Sequence, residues 1–326
     1  MIFRQPHEMV TDDVFLDLEG LVGGSDVFLK LEGMNPAGSI KLKPAVAMVE
    51  DAERRGVLWP GGRMIESSSG SLGIALAMIA ASKGYSFTCV VDPNVSPQSL
   101  DVIRALGAEV VRVDRRDANG GYLGTRIAAV RERLDRDPEL VWLNQYANPA
   151  NPHAHATGTA TSILREIGRV DYLFVGAGTT GTLMGCVRHF RTFSPSTRIV
   201  AVDSVGSVTF DAPPGPRYIP GLGASRKPEI LRPGSVDTVV LVSEVDAVRT
   251  CRHLAGRYGL LAGGSTGSIV AAVMQTDVPP GSRVVALSPD LGDRYVQTVY
   301  NDDWAAATYG PDALLPLVPG VDRVAV

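Results

Sequence analysis

The sequence predicts an α/β protein with parallel-rich, twisted sheets flanked by helices. Three observations point there. The chain has 326 residues, about two domains at roughly 150 residues each. Apolar residues make up 45% and charged residues 20%, an ordinary globular balance that excludes a disordered, collagenous or low-complexity chain. Short apolar runs alternate with helix-length segments, the pattern of parallel strands joined by helices.

The elements follow in chain order. Apolar runs over 27–31, 63–66, 87–91, 109–113, 141–143, 172–175, 198–202, 238–242 and 283–287 read as strands. Amphipathic stretches over 70–83, 97–106, 121–135, 182–193, 245–258 and 266–275 read as helices, and a mostly apolar helix follows Lys41. Segment 206–233 is rich in Pro and Gly and fits neither pattern. A long loop of this kind reads either as functional or as a surface excursion. Beyond Trp304 the periodicity is weak, and that tail is expected to pack on a neighbour or a second subunit.

Charge and composition remove several classes of function. Lys and Arg total 31 against 35 Asp and Glu, a net charge of -4. Without a basic surplus or run, no nucleic-acid partner is expected. No apolar run approaches the roughly 20 residues that span a bilayer, and the N-terminus lacks the pattern of a signal peptide. Cys89, Cys186 and Cys251 are far apart in apolar contexts and read as buried, reduced thiols. His153 and His155 are two positions apart, so on a helix they face different ways and no metal site is expected. The expectation is a cytoplasmic protein with no metal and no membrane partner. Only five of the basic residues are lysines: Lys30, Lys41, Lys43, Lys83 and Lys227.

Ligands of open α/β sheets sit beyond the carboxyl ends of strands, where loops enter helix N-termini. The loop after 172–175 reads Gly176-Ala177-Gly178-Thr179-Thr180-Gly181. This is a G-x-G-x-x-G, and Asp203 ends the next strand where a dinucleotide-binding acid would lie. The motif sits mid-chain, however, and Thr179, Thr180 and Thr182 crowd it with hydroxyls that suit a compact phosphate monoester. Backbone N–H groups at a helix N-terminus bind any phosphate. The loop alone leaves open NAD, another phosphate, or a plain tight turn.

Three further segments carry chemistry. The loop Ser67-Ser68-Ser69-Gly70-Ser71-Leu72-Gly73 offers hydroxyls and N–H groups to an anion such as an amino-acid carboxylate. The same composition also makes caps and turns. Lys41 follows Asn35-Pro36-Ala37-Gly38-Ser39-Ile40 and enters an apolar helix. Desolvation there would lower its pKa and make it a nucleophile for a carbonyl, whereas an exposed helix-start lysine would do nothing of the kind. Gly263-Gly264-Ser265-Thr266-Gly267-Ser268 opens the last of the predicted helices.

A phosphate cup, a lysine, a carboxylate loop and a glycine-flanked serine together fit one cofactor, pyridoxal 5'-phosphate (PLP). With these motifs, over roughly 15–304, the chain resembles the cysteine synthase/cystathionine β-synthase family of PLP enzymes, the two-domain fold type II of the tryptophan synthase β kind. The resemblance implies that Lys41 is the Schiff-base lysine and acid–base catalyst. It implies a cup at Gly178, Thr179, Thr180, Gly181 and Thr182, and Ser265 against the ring nitrogen. A neutral serine there would not keep that nitrogen protonated as an aspartate would. The donor carboxylate would rest on Ser68, Ser69 and Gly70, with Gln145 beside it. Two departures stand out. Ser71 replaces the asparagine that usually touches the cofactor's phenolic oxygen, and Lys43 adds a second lysine near the first.

Within the family, the segments GIALAMIA, GGYLGTRIA, NQYAN, GLGASRKPEIL and GDRYVQTVY resemble the N-(2-amino-2-carboxyethyl)-L-glutamate synthase branch of 2,3-diaminopropionate biosynthesis. That branch implies β-replacement on O-phospho-L-serine through an aminoacrylate, with L-glutamate as the amine, for siderophores or peptide antibiotics. A doubly charged leaving phosphate calls for a forked cation, and Arg126 and Arg226 are the candidates. Tyr146 is a further substrate contact. The family also implies a homodimer, with a small mobile domain over 46–148 closing on a large domain made of 1–45 and 149–326. Three other readings stay open at this point: a cysteine synthase using sulfide with O-acetylserine or O-phosphoserine, an NAD-dependent oxidoreductase built on the loop at 176–181 and Asp203, and a non-catalytic relative acting as a binding or regulatory partner, which Ser71 makes conceivable.

Overall fold

Ten strands and ten α-helices form in the computed structural model, which describes residues 2–68 and 70–317. The strands are β1 (Phe15–Asp17), β2 (Asp26–Leu31), β3 (Arg63–Ser67), β4 (Ser86–Val91), β5 (Glu109–Arg112), β6 (Leu140–Trp142), β7 (Tyr172–Gly176), β8 (Arg198–Ser204), β9 (Thr238–Val242) and β10 (Arg283–Ser288). The helices are α1 (Leu42–Arg54), α2 (Ser71–Lys83), α3 (Pro97–Ala105), α4 (Leu123–Arg136), α5 (Ala150–Ala154), α6 (Ala160–Ile167), α7 (Gly181–Phe193), α8 (Glu244–Tyr258), α9 (Gly264–Gln275) and α10 (Asp302–Tyr309). Each of the nine apolar runs is a strand, to within two residues. β1 is the addition, a three-residue antiparallel strand pairing with β2 and too short to show a pattern.

The strands divide between two sheets. Six form the order β1-β2-β10-β7-β8-β9, parallel except for β1, and four form the all-parallel order β5-β4-β3-β6. Side chains alternate across each sheet with the two-residue period of a strand. In the larger sheet Val284 and Ala286 of β10 join one core with α9, while Val285 and Leu287 join another with α7. Both faces are therefore covered, as parallel sheets require. Gly264 through Val273 of α9 are all buried, so this helix is apolar all round and lies in the interior. In the smaller sheet Met64 faces a core with α1 and α2, while Ile65 faces Val130 of α4.

Three places depart from the sequence pattern. Pro152 and Gly158 lie in the segment where α5 and α6 are separated by a π turn, His155–Thr159. Residues 205–237 form no helix or strand, yet they are pinned. Gly223 N–H donates to the Ala177 carbonyl at 2.8 Å, and Ile230 N–H to that of Tyr146 at 3.0 Å. The tail forms α10 and a short turn that pack on α8 of the same chain, burying Ala305 and Ala313 beside Val248 and Cys251. Among the described residues, no helix is long and apolar enough to cross a membrane, and no group of three or more His, Cys, Asp or Glu could hold a metal. The three cysteines are free and buried, and burial pushes each thiol up to about 12.

Candidate active site

The carboxyl ends of β7 and β10 open into one cleft that also takes in the lysine loop, the start of α2 and the start of α9. Lys41, Ser71, Gly178, Thr179, Thr180, Gly181, Thr182 and Ser265 all line it. Ser39, Ile40, Gly221, Leu222, Pro289 and Asp290 complete much of the wall.

The lysine loop is held by its own turn. Asn35 closes it, with Nδ2 donating to the carbonyls of Glu32 and Ser39 at 2.9 Å each and Oδ1 accepting the N–H of Ala37 at 3.0 Å. Gly38 takes a φ of +65°, the left-handed region that glycine enters freely. Ile40 N–H then donates to the Pro289 carbonyl at 2.7 Å, tying the loop to the end of β10. Lys41 thereby ends inside the cleft, where burial lowers its pKa against the opposing pull of Asp290. A desolvated amine of this kind is a nucleophile near neutral pH. Lys43 turns the other way. Its ammonium is buried between Asp12 and Glu32, 2.6 Å from the latter, and donates to Thr159 Oγ1 at 3.1 Å.

The glycine loop shapes a cradle. A Cβ on Gly178 would meet the Gly221 carbonyl at 2.8 Å, and one on Gly181 would meet Asn151 Oδ1 at 2.0 Å. Thr180 adopts φ +63°, unusual for a β-branched residue, and its buried hydroxyl finds no partner in the protein. Strain and an orphan donor at a helix N-terminus fit an anion bound there. The cup hydroxyls are supported from behind: His155 Nε2 lies 3.2 Å from Thr182 Oγ1, and Asn151 Nδ2 donates to Thr179 Oγ1 at 3.3 Å. Desolvation keeps His155 well below its usual pKa, hence neutral. Asp203, the acid that a dinucleotide would need, is fully buried and accepts the Ser204 N–H instead.

The carboxylate loop follows β3. Ser68 Oγ accepts the N–H of Gly73 at 3.0 Å and that of Gly70 at 3.4 Å. Its own O–H remains available to donate. Ser69 lies outside the described residues. Gln145 donates from Nε2 to the Ser67 carbonyl at 2.8 Å, and its backbone N–H meets Glu66 at 3.1 Å. Glu66 is buried, and burial lifts its pKa to about 7. Arg126 is buried on α4, 3.3 Å from Asp92, and near enough to Tyr146 to act on its ionisation. Arg226 is half-exposed and paired with Glu229.

Asp290 and Arg294 escaped the sequence reading. Arg294 donates to the Ala37 carbonyl at 2.6 Å and to Ser71 Oγ at 3.3 Å, joining the lysine loop to α2. The only written signal was a polar Ser-Pro-Asp at the end of an apolar strand.

This set of residues defines a PLP enzyme of fold type II, and the chain belongs to the pyridoxal-phosphate dependent enzyme family, whose match covers residues 15–290. It is 48% identical to N-(2-amino-2-carboxyethyl)-L-glutamate synthase of Ralstonia nicotianae, over 84% of this chain and 82% of that one. It is 45% identical to the synthase of the same name from Cupriavidus metallidurans, over 94% and 92%. Among solved structures it resembles O-ureido-L-serine synthase, with a TM-score of 0.85 and 32% identity over 94% and 100% of the two chains. The O-acetylserine dependent cystathionine β-synthase of Helicobacter pylori gives 0.86 and 27% over 92% and 100%. The cofactor is pyridoxal phosphate, and the dinucleotide alternative falls.

Proposed function

We propose that the chain performs β-replacement on O-phospho-L-serine with the amine of L-glutamate, releasing phosphate and forming N-(2-amino-2-carboxyethyl)-L-glutamate. The product would supply 2,3-diaminopropionate for a siderophore or peptide antibiotic. One observation carries this reading. A buried lysine, a phosphate cradle and a neutral serine meet in one cleft, in a chain 45–48% identical to two synthases of that name.

Bound PLP supplies the electron sink at the donor's Cα. Lys41 would hold it and would serve as the general base and acid for the Cα proton. Gly178, Thr179, Thr180, Gly181 and Thr182 would hold the cofactor phosphate, Ser265 would serve its ring nitrogen, and Ser71 its phenolic oxygen. Ser68, Ser69, Gly70 and Gln145 hold the donor carboxylate. Arg126, with Tyr146 and Thr179, reads the leaving phosphate. The burial of the Arg126 guanidinium and its action on the ionisation of Tyr146 support this choice, whereas Arg226 is half-exposed and paired with Glu229. Residues 46–148 close as a mobile unit on 1–45 and 149–326, excluding water once the donor is held. The working form is a cytoplasmic homodimer.

The test is to incubate the holoenzyme with O-phosphoserine and either glutamate or sulfide, then identify the products by mass. A glutamate adduct is expected. Cysteine alone would make the chain a cysteine synthase, and bound cofactor without turnover of any donor would make it a non-catalytic relative.

A further inference from the structure

Lys43, which has no part in the proposed reaction, stands at one end of a line of hydrogen bonds that finishes at the phosphate cup. Its Nζ lies 3.1 Å from Thr159 Oγ1, that oxygen lies 3.1 Å from His155 Nδ1, and His155 Nε2 lies 3.2 Å from Thr182 Oγ1. Lys43, Thr159 and His155 are buried, and Thr182 opens onto the cleft. Local structure builds the line. The π turn sets Thr159 four residues after His155, so that their side chains meet. Gly185 lets α7 press onto that turn, for a Cβ there would meet the Pro152 carbonyl at 2.5 Å and His155 Cβ at 2.6 Å. His155 thus lies against the first turn of α7, where Thr182 stands. At the far end Asp12 and Glu32 hold the Lys43 ammonium in place.

Donors and acceptors fix the direction of this line. An ammonium only donates, so Thr159 Oγ1 accepts from Lys43. A hydroxyl has one hydrogen, and the other partner of this one, among the described residues, is His155 Nδ1. Thr159 therefore donates to Nδ1. Desolvation, and after it the Lys43 charge, holds His155 well below its usual pKa, so the ring is neutral. Both causes persist when the cofactor takes up the Lys41 amine. A neutral imidazole carries one N–H. With Nδ1 accepting, that hydrogen sits on Nε2 and is given to Thr182 Oγ1. The hydrogen of Thr182 is then free to point into the cup.

A phosphate monoester is largely a dianion above its second pKa of about 6, and a dianion only accepts. The opposite tautomer of His155 would draw the Thr182 hydrogen back and turn a lone pair on the phosphate. We infer that Lys43 is a positioning residue that, through Thr159 and His155, fixes the Thr182 hydroxyl as a donor to the cofactor phosphate. This rests on the placement of that phosphate in the cup proposed above.

The tautomer can be read directly. Protein with ¹⁵N-labelled histidine is loaded with PLP, and two-bond proton–nitrogen spectra show which nitrogen of the assigned His155 ring carries the hydrogen. Wild type is expected to carry it on Nε2. Thr159→Val removes the hydroxyl between Lys43 and His155. Lys43→Met made together with Glu32→Gln removes the ammonium and the acid that faces it. Each is expected to leave the hydrogen averaged over both nitrogens. Each should also bind PLP about tenfold more weakly, the size of one charge-assisted hydrogen bond. Pyridoxal, which has the same aldehyde and no phosphate, should bind as it does to wild type. Thr159→Ser and Glu32→Gln alone are expected to keep the wild-type tautomer. An Nδ1 hydrogen in wild type or in Thr159→Ser, an unchanged tautomer in a folded Thr159→Val or Lys43→Met/Glu32→Gln protein, or equal losses for PLP and pyridoxal overturns the inference. Either of those two proteins decides it should the other fail to fold. Wild-type protein that takes up no PLP would instead overturn the phosphate placement on which the inference stands.

Discussion

Lys41 and Lys43 stand two residues apart and do opposite things with a buried charge. Lys41 is desolvated in the cleft, whereas Lys43 is neutralised by Asp12 and Glu32. Borohydride reduction of the holoenzyme should therefore label Lys41 and leave Lys43 unlabelled, as peptide mass mapping would show. Lys41→Ala should abolish turnover while the protein stays folded. Lys43→Ala should lower stability by about 1.5–3 kcal/mol, the cost of a lost charged hydrogen bond, since Glu32 keeps Lys30 as its second partner at 3.6 Å, and a label on Lys43 would refute the assignment. Arg126 and Arg226 invite a parallel comparison. Removing a charged hydrogen bond costs about 1.5–3 kcal/mol. Arg126→Ala should thus raise the KM for O-phosphoserine about tenfold or more, with far less effect on O-acetylserine. Arg226→Ala should leave both nearly unchanged, and equal effects of Arg126→Ala on the two donors would sink its role.

At the level of elements, the glycine loop depends on space as much as on charge. The room a Cβ would need on Gly178 is taken by a backbone carbonyl, that of Gly221, which cannot rotate aside. Gly178→Ala should weaken cofactor affinity at least about tenfold, a loss of about 1.4 kcal/mol, in an absorbance titration, with the far-UV spectrum unchanged. The clamp on that loop was invisible in the sequence because it comes from residues about 40 positions away. Strands such as β7, β8 and β10 were legible because they are buried on both faces and carry unbroken apolar runs. Lys41 and the cup were legible because glycine and proline mark the turns that present them. Asp290 was not, because its meaning lies in Ser265 and Tyr295, which only the packing of α9 brings to it. β1 carries half-exposed residues with no period to read, and the π turn at 155–159 has no residue code that separates it from an ordinary helix.

For the molecule as a whole, buried acids set the response to pH. Glu66 rises from 4.5 to about 7, and Asp203 and Asp290 each rise from 3.8 to about 6, in every case mainly through desolvation. A carboxyl raised in the folded state binds its proton more tightly there than in the unfolded chain. Its stabilising effect is complete below the unfolded value and is lost as pH climbs through the folded one. For Glu66 that window runs from 4.5 to about 7, worth about 3 kcal/mol at 1.36 per pH unit. The melting temperature of the cofactor-free protein should fall across this window. Glu66→Gln should flatten the fall, and an unchanged slope would show that Glu66 is ionised without penalty.

The division into two sheets has a consequence for how such a chain can diverge. The cradle, the lysine loop and Ser265 belong to the larger sheet, whereas the loops after β3, β4 and β6 that bear Ser68, Asp92 and Gln145 belong to the smaller. Under the assignment proposed above, mutations in the second group would alter which amino acid enters and leave the first in place. Relatives that share only 27–32% of their residues with this chain, and bear different names, still superpose at TM-scores of 0.85–0.86. On that assignment, a change of donor or acceptor calls for new loops on the smaller sheet and for no change in the larger one.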